Sequence, residues 1–143
     1  MNIVGGWKLD PQLQIFRIPV RISNPETKVT LVKYCIFDTG FTGYFGLDKE
    51  SISLLNLPKI GRGKGVTVSG LIEYDNYNGI VEIVDQEQKA IIKILNKAIQ
   101  QDDIKSGEII PIQEFGIPII GIKSICQISW LILSERDAIF ILK

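Results

Sequence analysis

The stretch Ile36-Phe37-Asp38-Thr39-Gly40-Phe41-Thr42-Gly43 decides the fold. An apolar run rich in β-forming residues, 29–37, leads into it and stops at the carboxylate of Asp38. Two glycines follow within five residues, and glycine permits positive φ or the close approach of another chain. Asp, Thr and Gly are also ordinary turn residues. The stretch therefore predicts a strand that ends in a tight loop, with a carboxylate directed out of the edge of the core.

The composition is that of a single globular domain, 1–143, with a generous core: 45% of the residues are hydrophobic and 22% are charged. Sixteen Lys and Arg balance sixteen Asp and Glu, so neither nucleic acid nor an acidic membrane is expected as a partner. No run approaches the roughly 20 apolar residues of a membrane helix. The first residues lack the basic and apolar regions of a signal peptide. We therefore expect a soluble, cytoplasmic protein.

The chain contains no histidine. This excludes Ser-His-Asp and Cys-His catalysis and the common histidine-ligated metal sites, so neither a metal nor a cofactor is expected. Cys35 and Cys126 are far apart and form no CxxC motif. Two buried thiols in a reducing cytosol are favoured, while one disulfide bridge remains the alternative.

A β-hairpin is predicted to deliver Asp38. Apolar and polar residues alternate over 12–23, and 28–37 returns as a second strand. Between them, Asn24-Pro25-Glu26-Thr27 is a strong turn sequence, with proline at its second position. Pro19 cannot donate to a ladder, which indicates an edge or a bulge in the first strand.

The middle of the chain is predicted to hold a short strand, a helix and a second hairpin. Residues 44–47 are extended, and Asp48 caps a helix over 49–57 that stops at a proline. The glycine-rich segment 61–65 is predicted to be a mobile connector. It is not a phosphate-binding loop, because it lacks the Gly-Lys-Ser/Thr ending and the strand-to-helix setting. Residues 66–84 are predicted to be a hairpin with its turn near Ser69-Gly70.

Within that second hairpin, the polar and aromatic tract 74–78 is predicted to be exposed and mobile. Residues 89–99 fit either a strand paired with 81–84 or a helix face, and the preceding turn favours the strand. Residues 100–107 are predicted to be a loop. The last third is predicted to contain a strand at 108–113, a short helix at 123–128 and two terminal strands at 130–133 and 138–142.

In this order, the features resemble the retropepsin-like aspartic proteases, the single-domain branch of the pepsin clan. The resemblance is carried by the strand into Asp38-Thr39-Gly40, a helix ending in Leu55-Asn56-Leu57, a glycine hairpin near Gly70, and Ile119-Ile120-Gly121 before a short helix and terminal strands. It implies an all-β, closed β-barrel-like retropepsin fold with one or two short helices. It also implies that the chain is one subunit of a homodimer.

The resemblance implies an aspartic endopeptidase, a hydrolase that cleaves peptide bonds in extended peptides or unfolded proteins. Two carboxylates that share one proton can activate a water and protonate the leaving amine. Since this chain has one such aspartate, Asp38 of each subunit would meet at a twofold axis. Thr39 would bond across the axis, and Gly40 would leave room for the substrate backbone.

Two further roles follow from the resemblance. The segment Val68-Ser69-Gly70-Leu71 would be the flap that binds and covers the substrate. Ile119, Ile120 and Gly121 would pack beneath the active-site loop, a structural role.

Two other functions remain open at this point. A catalytically inactive dimerisation or peptide-binding module on the same fold is favoured by Lys123, where the family often carries an acidic residue or asparagine, and by the single glycine of the hairpin. A β-rich nucleic-acid binder is disfavoured by the zero net charge; it would use Arg62, Lys64, Tyr74 and Tyr77.

Overall fold

The computed structural model describes residues 1–67, 69–98 and 107–143. These residues are mostly strand. The strands are β1 (Ile3–Lys8), β2 (Arg17–Ser23), β3 (Thr30–Phe37), β4 (Phe45–Leu47), β5 (Lys59–Thr67), β6 (Gly70–Val84), β7 (Ala90–Lys93), β8 (Ile109–Glu114), β9 (Ile119–Ile120), β10 (Ser129–Leu133) and β11 (Ala138–Leu142). The helices are α1 (Lys49–Leu55) and α2 (Ile122–Ile125), and Ser134–Arg136 forms a 3-10 turn.

Six of these strands close into a barrel. They follow the order β2-β3-β9-β4-β8-β6, and β6 returns to β2 through the pairing of residues 80–83 with residues 20–23. β5 and β7 also pair with β6, while β1, β11 and β10 form a separate antiparallel sheet. The prediction of a predominantly β chain with a closed barrel and short helices is therefore confirmed for the described residues.

The core of the barrel consists mainly of the β-branched side chains of Ile and Val. They point inward because alternate residues along a strand share one face. The second sheet packs on the same cluster through Trp7, Ile139 and Ile141. One hydrophobic core thus joins both sheets. The barrel residues that are fully buried in it include Ile18, Val20, Ile22, Val81, Ile83, Ile110, Ile112 and Ile120.

The predicted β2–β3 hairpin is confirmed. β2 begins only at Arg17, because the preceding residues form a turn in which Oδ1 of Asp10 accepts the N–H groups of Gln12 and Leu13. Asn24, 2% exposed, organises the hairpin turn. Its Oδ1 accepts the N–H groups of Glu26 and Thr27 at 2.8 and 3.2 Å. Its amide donates to the carbonyls of Leu55 and Asn56 at 3.0 and 2.9 Å. The turn is thereby fastened to the end of α1.

Pro19 lies where β2 has an open edge. It pairs with Tyr34 of β3, but the pairing of β2 with β6 begins only at Val20. The missing N–H of proline therefore costs no barrel hydrogen bond, and the edge predicted at this residue is confirmed.

Asp48 caps α1 as predicted. Its carboxylate accepts the backbone N–H of Ser51 at 3.0 Å and the hydroxyl of Ser51 at 2.9 Å. The helix ends at Leu55, two residues before the predicted end, because Asn56 adopts the left-handed conformation at φ 48°.

The prediction of a mobile connector at 61–65 is wrong, because these residues belong to β5 and pair with β6. The aromatic ring of Tyr74 lies across Gly63 and Gly65; a Cβ on Gly63 would come within 2.7 Å of the ring. The Tyr74 hydroxyl also donates to the carbonyl of Lys64 at 3.3 Å. An aromatic residue on the neighbouring strand thus covers glycines that would otherwise weaken the strand.

The prediction of an exposed, mobile tract at 74–78 is wrong for the same reason, since the tract is the half-buried middle of β6 between β5 and β8. Opposite charges pair across β5 and β6: Arg62 lies 3.2 Å from Glu73, and Lys59 lies 3.3 Å from Asp75. These pairs place a carboxylate beside Lys59 and Arg62, two of the three basic side chains of β5.

The strand prediction for 89–99 is confirmed over Ala90–Lys93, where Ile92 pairs with Ile83 of β6. The helix alternative is excluded there. Residue 99 and most of the loop predicted at 100–107 lie outside the described residues. β8, α2, β10 and β11 lie near their predicted positions, whereas β1 was not predicted.

Both cysteines are free. Cys35 is buried as predicted, and burial raises the pKa of its thiol to about 12. The prediction that Cys126 is buried is wrong, since it lies exposed at the end of α2. Among the described helices, none has the length and apolar character needed to cross a bilayer.

Candidate active site

The loop 38–44 leaves the barrel at the end of β3 and is anchored by β9. β3 pairs in parallel with β9, Ile36 opposite Ile119 and Phe37 opposite Ile120. The N–H of Asp38 continues this ladder by donating to the carbonyl of Ile120 at 3.1 Å. The position of the Asp38 backbone is therefore fixed by a segment from the last quarter of the chain.

The carboxylate of Asp38 is oriented by its own loop. Its Oδ1 accepts the N–H of Gly40 at 2.8 Å, and a Cβ on Gly40 would lie 3.2 Å from the same oxygen. Glycine at 40 thus keeps the approach to the carboxylate open. Asp38 is half-buried, while Thr39 and Gly40 are exposed. The loop presents these three residues together at the surface.

Ile119, Ile120 and Gly121 lie directly beneath this loop. β9 runs between β3 and β4, and Gly121 donates to the carbonyl of Tyr44 at 2.8 Å. A Cβ on Gly121 would overlap the carbonyl oxygen of Gly43. The buried hydroxyl of Ser124 also donates to Tyr44, at 2.9 Å. β9 and the segment that follows it thus support both ends of the loop.

A cleft of about 320 Å³ opens beside Asp38. Its lining comes from the loop, from the β5–β6 hairpin and from the segment that runs from β8 to β9. Its walls are mainly apolar, and the rings of Phe41 and Phe115 meet edge to face at 5.4 Å. An apolar cleft with a few polar groups is typical of a ligand-binding site. The lining residues are Asp38, Gly40, Phe41, Thr42, Gly65, Ile72, Tyr74, Gln113, Phe115 and Ile119.

Three of the four predicted flap residues, Ser69, Gly70 and Leu71, lie at the tip of the β5–β6 hairpin. Val68 is outside the described residues. Ser69 is in the turn, Gly70 takes a φ of 117° and Leu71 is 76% exposed. None of these three described tip residues lines the cleft, which the hairpin borders lower down through Gly65, Ile72 and Tyr74.

The sequence did not place Tyr74, Gln113 or Phe115 beside Asp38; Tyr74 was named only for the nucleic-acid alternative. The signal that could have found Tyr74 is its spacing of two from Ile72, which places both side chains on one face of β6. The same alternation places Gln113 and Phe115 on one face at the end of β8. No local motif marks them, because the cleft is assembled from separate strands.

Lys123 does not line the cleft. It is exposed on α2, and its ammonium group lies 5.5 Å from the centre of the Tyr44 ring, a cation–π distance. This position, at which the sequence departs from the retropepsin-like pattern that it resembles, therefore lies outside the described lining of the cleft.

Asp38 is the one carboxylate among the described lining residues. A single carboxylate can accept a proton from water. Combined acid and base catalysis through a shared proton requires a second carboxylate. Elsewhere in the described ranges, no group of three or more Cys, Asp or Glu side chains could hold a metal ion. No protein-family model matches the chain, and no curated protein gives a significant match. Function must therefore be inferred from the fold and the cleft.

Proposed function

We propose that the protein is a retropepsin-like aspartic endopeptidase that acts as a homodimer on extended polypeptides. One observation carries the proposal: Asp38 lines a mainly apolar cleft, and its carboxylate is oriented by the N–H of Gly40 at 2.8 Å. β9 also supports the loop that carries Asp38, which strengthens the proposal. A carboxylate can position a water for attack only if the carboxylate itself is held in place.

The second carboxylate would be Asp38 of the partner subunit. Exposure of Thr39 and Gly40 beside Asp38 supports a twofold contact at this loop, in which the same surface of each copy meets the other. Two carboxylates held close together share one proton, because both cannot be ionised at once.

The reaction then needs no other group. The ionised carboxylate accepts a proton from a water, whose oxygen attacks the peptide carbonyl carbon, while the protonated carboxyl group donates to the carbonyl oxygen. The tetrahedral intermediate collapses when the peptide nitrogen receives a proton and the C–N bond breaks. The β5–β6 hairpin would lie over the bound polypeptide and exclude bulk water.

The decisive experiment is digestion of an unfolded protein from acid to neutral pH by the wild type and by Asp38→Asn. The wild type should release fragments, and Asp38→Asn should release none above background. Asp137→Asn is the matched control, since Asp137 is exposed and its φ of 47° suits asparagine. Equal digestion by wild type and Asp38→Asn would refute the proposal.

The homodimer is tested separately by analytical ultracentrifugation and by dilution. Specific activity should fall once the chain is diluted below its dimer dissociation constant. A chain that is monomeric throughout and still digests the substrate would contradict the shared dyad.

One observation favours a second function, a non-catalytic dimerisation or peptide-binding module. The described lining of the cleft supplies a single carboxylate, so a chain that does not pair at this loop could bind a peptide without cleaving it. Binding of an extended peptide by a folded wild type that never cleaves it would favour this function.

A further inference from the structure

Gln113 carries the one side-chain amide among the described lining residues of the cleft. Along β8, Ile110 and Ile112 point into the core and are fully buried, so Gln113 points to the opposite face. That face borders the cleft. Phe115 follows two residues later on the same side.

The surroundings of Gln113 leave its amide available. Its neighbour on β4 is Gly46, which has no side chain, and its neighbour on β6 is Asn76. Its Oε1 would lie 3.7 Å from a Cβ on Gly43, so the amide reaches the loop that carries Asp38. The side chain is half-buried and makes no hydrogen bond with another described residue. A half-buried amide with no protein partner needs one from water or from a ligand.

We propose that Gln113 selects substrates with an asparagine or glutamine side chain next to the scissile bond; this rests on the proposed binding of a polypeptide in the cleft. A primary amide both donates and accepts, so another primary amide can satisfy both of its groups. An aliphatic side chain would leave the amide of Gln113 desolvated and unpaired. A charged side chain would find no counterion in the described lining except Asp38 itself.

The test measures peptide binding on an Asp38→Asn background, where no cleavage consumes the ligand. Fluorescent peptides of one sequence carry either Gln or Leu at each position in turn, and the ratio of the two dissociation constants is measured. At one position the Gln peptide should bind about tenfold more tightly, a difference expected from one buried amide contact. Gln113→Leu should abolish or reverse that ratio.

Gln12→Leu is the matched control, because it makes the same substitution at an exposed residue outside the cleft. Gln113→Glu is the second variant, in case Gln113→Leu does not fold. With a third peptide that carries Lys at the same position, Gln113→Glu should shift the preference from Gln to Lys. Circular dichroism establishes folding. An unchanged Gln-to-Leu ratio in the folded variants would overturn the inference, as would failure of every peptide to bind.

Cleavage of the same peptides by the wild type separates the two proposals. Selective binding without cleavage would remove the endopeptidase and keep the role of Gln113. Cleavage that does not depend on Gln113 would support the endopeptidase and remove the proposed role of Gln113.

Discussion

Replacing Gly121 by alanine should displace the loop that carries Asp38. The φ of Gly121 is −98°, which any residue adopts, so the effect comes from space alone. The new Cβ would overlap the carbonyl oxygen of Gly43 and lie 2.9 Å from the carbonyl oxygen of Phe41. Both contacts are with backbone atoms, which cannot rotate away. Both are shorter than 3.0 Å, a distance below which Cβ atoms in proteins are essentially never found.

The loss of stability follows from the hydrogen bonds that these two carbonyls accept. The Phe41 carbonyl accepts the N–H of Ile122 at 2.9 Å, and the Gly43 carbonyl accepts the N–H of Lys123 at 3.2 Å. Losing such a hydrogen bond costs about 0.5–1.5 kcal/mol. Overpacking a tight site adds about 1–3 kcal/mol. With both hydrogen bonds lost, we therefore expect Gly121→Ala to lower the free energy of unfolding by about 2–6 kcal/mol, out of a total of about 5–15 kcal/mol.

Urea unfolding followed by tryptophan fluorescence measures this directly. Gly116→Ala is the matched control, because a Cβ there would meet no atom within 4 Å. It should change the free energy of unfolding by less than about 0.5 kcal/mol. If the two variants unfold at the same urea concentration with the same slope, the packing of Gly121 beneath the loop is refuted.

Three other changes have defined outcomes. Asn24→Ala removes four hydrogen bonds at a 2% exposed site and should cost about 2–4 kcal/mol by urea unfolding; a loss below about 1 kcal/mol would contradict the role of Asn24 in the turn. Burial raises the pKa of Asp48, but the hydrogen bonds from Ser51 outweigh it and hold the pKa below its ordinary 3.8. Its ionised form therefore stabilises the fold above that pH, and this stabilisation is lost as the pH falls through the lowered pKa. The stability difference between wild type and Asp48→Asn should shrink as the pH falls below about 3.8; a constant difference would exclude the carboxylate as its cause. A thiol reagent at pH 8 should modify Cys126 alone in the native protein and both cysteines after unfolding, since burial raises the pKa of Cys35 to about 12; rapid native labelling of Cys35 would show that its surroundings open.

The sequence predicted correctly those turns and helix caps that depend on a few neighbouring residues. The turn at 24–27 and the cap at Asp48 depend on side chains that bond to their own backbone neighbours, so a few adjacent residues suffice to identify them. β5 could not be identified in this way. Its glycines carry the signal of a loop, and their cover, Tyr74, lies on the partner strand. β1 was missed because its pairing partner is β11, at the other end of the chain.

The same distinction applies to the cleft. Asp38 was identifiable because a strand followed by a carboxylate and glycines is a compact pattern. Gln113 and Tyr74 enter the cleft only when β8 and β6 are placed side by side, and that pairing depends on the whole barrel. No pattern within either strand contains this information.

The insertion of β9 between β3 and β4 has a consequence for the order in which the protein forms. Phe37 and Ile120 pair although about 80 residues separate them along the chain, and contacts of such separation form slowly. During synthesis, β2 and β3 can associate early, but the hydrogen bonds between the Asp38 loop and residues 119–123 cannot form until those residues have left the ribosome. The loop that bears Asp38 should therefore be among the last parts of the chain to become ordered.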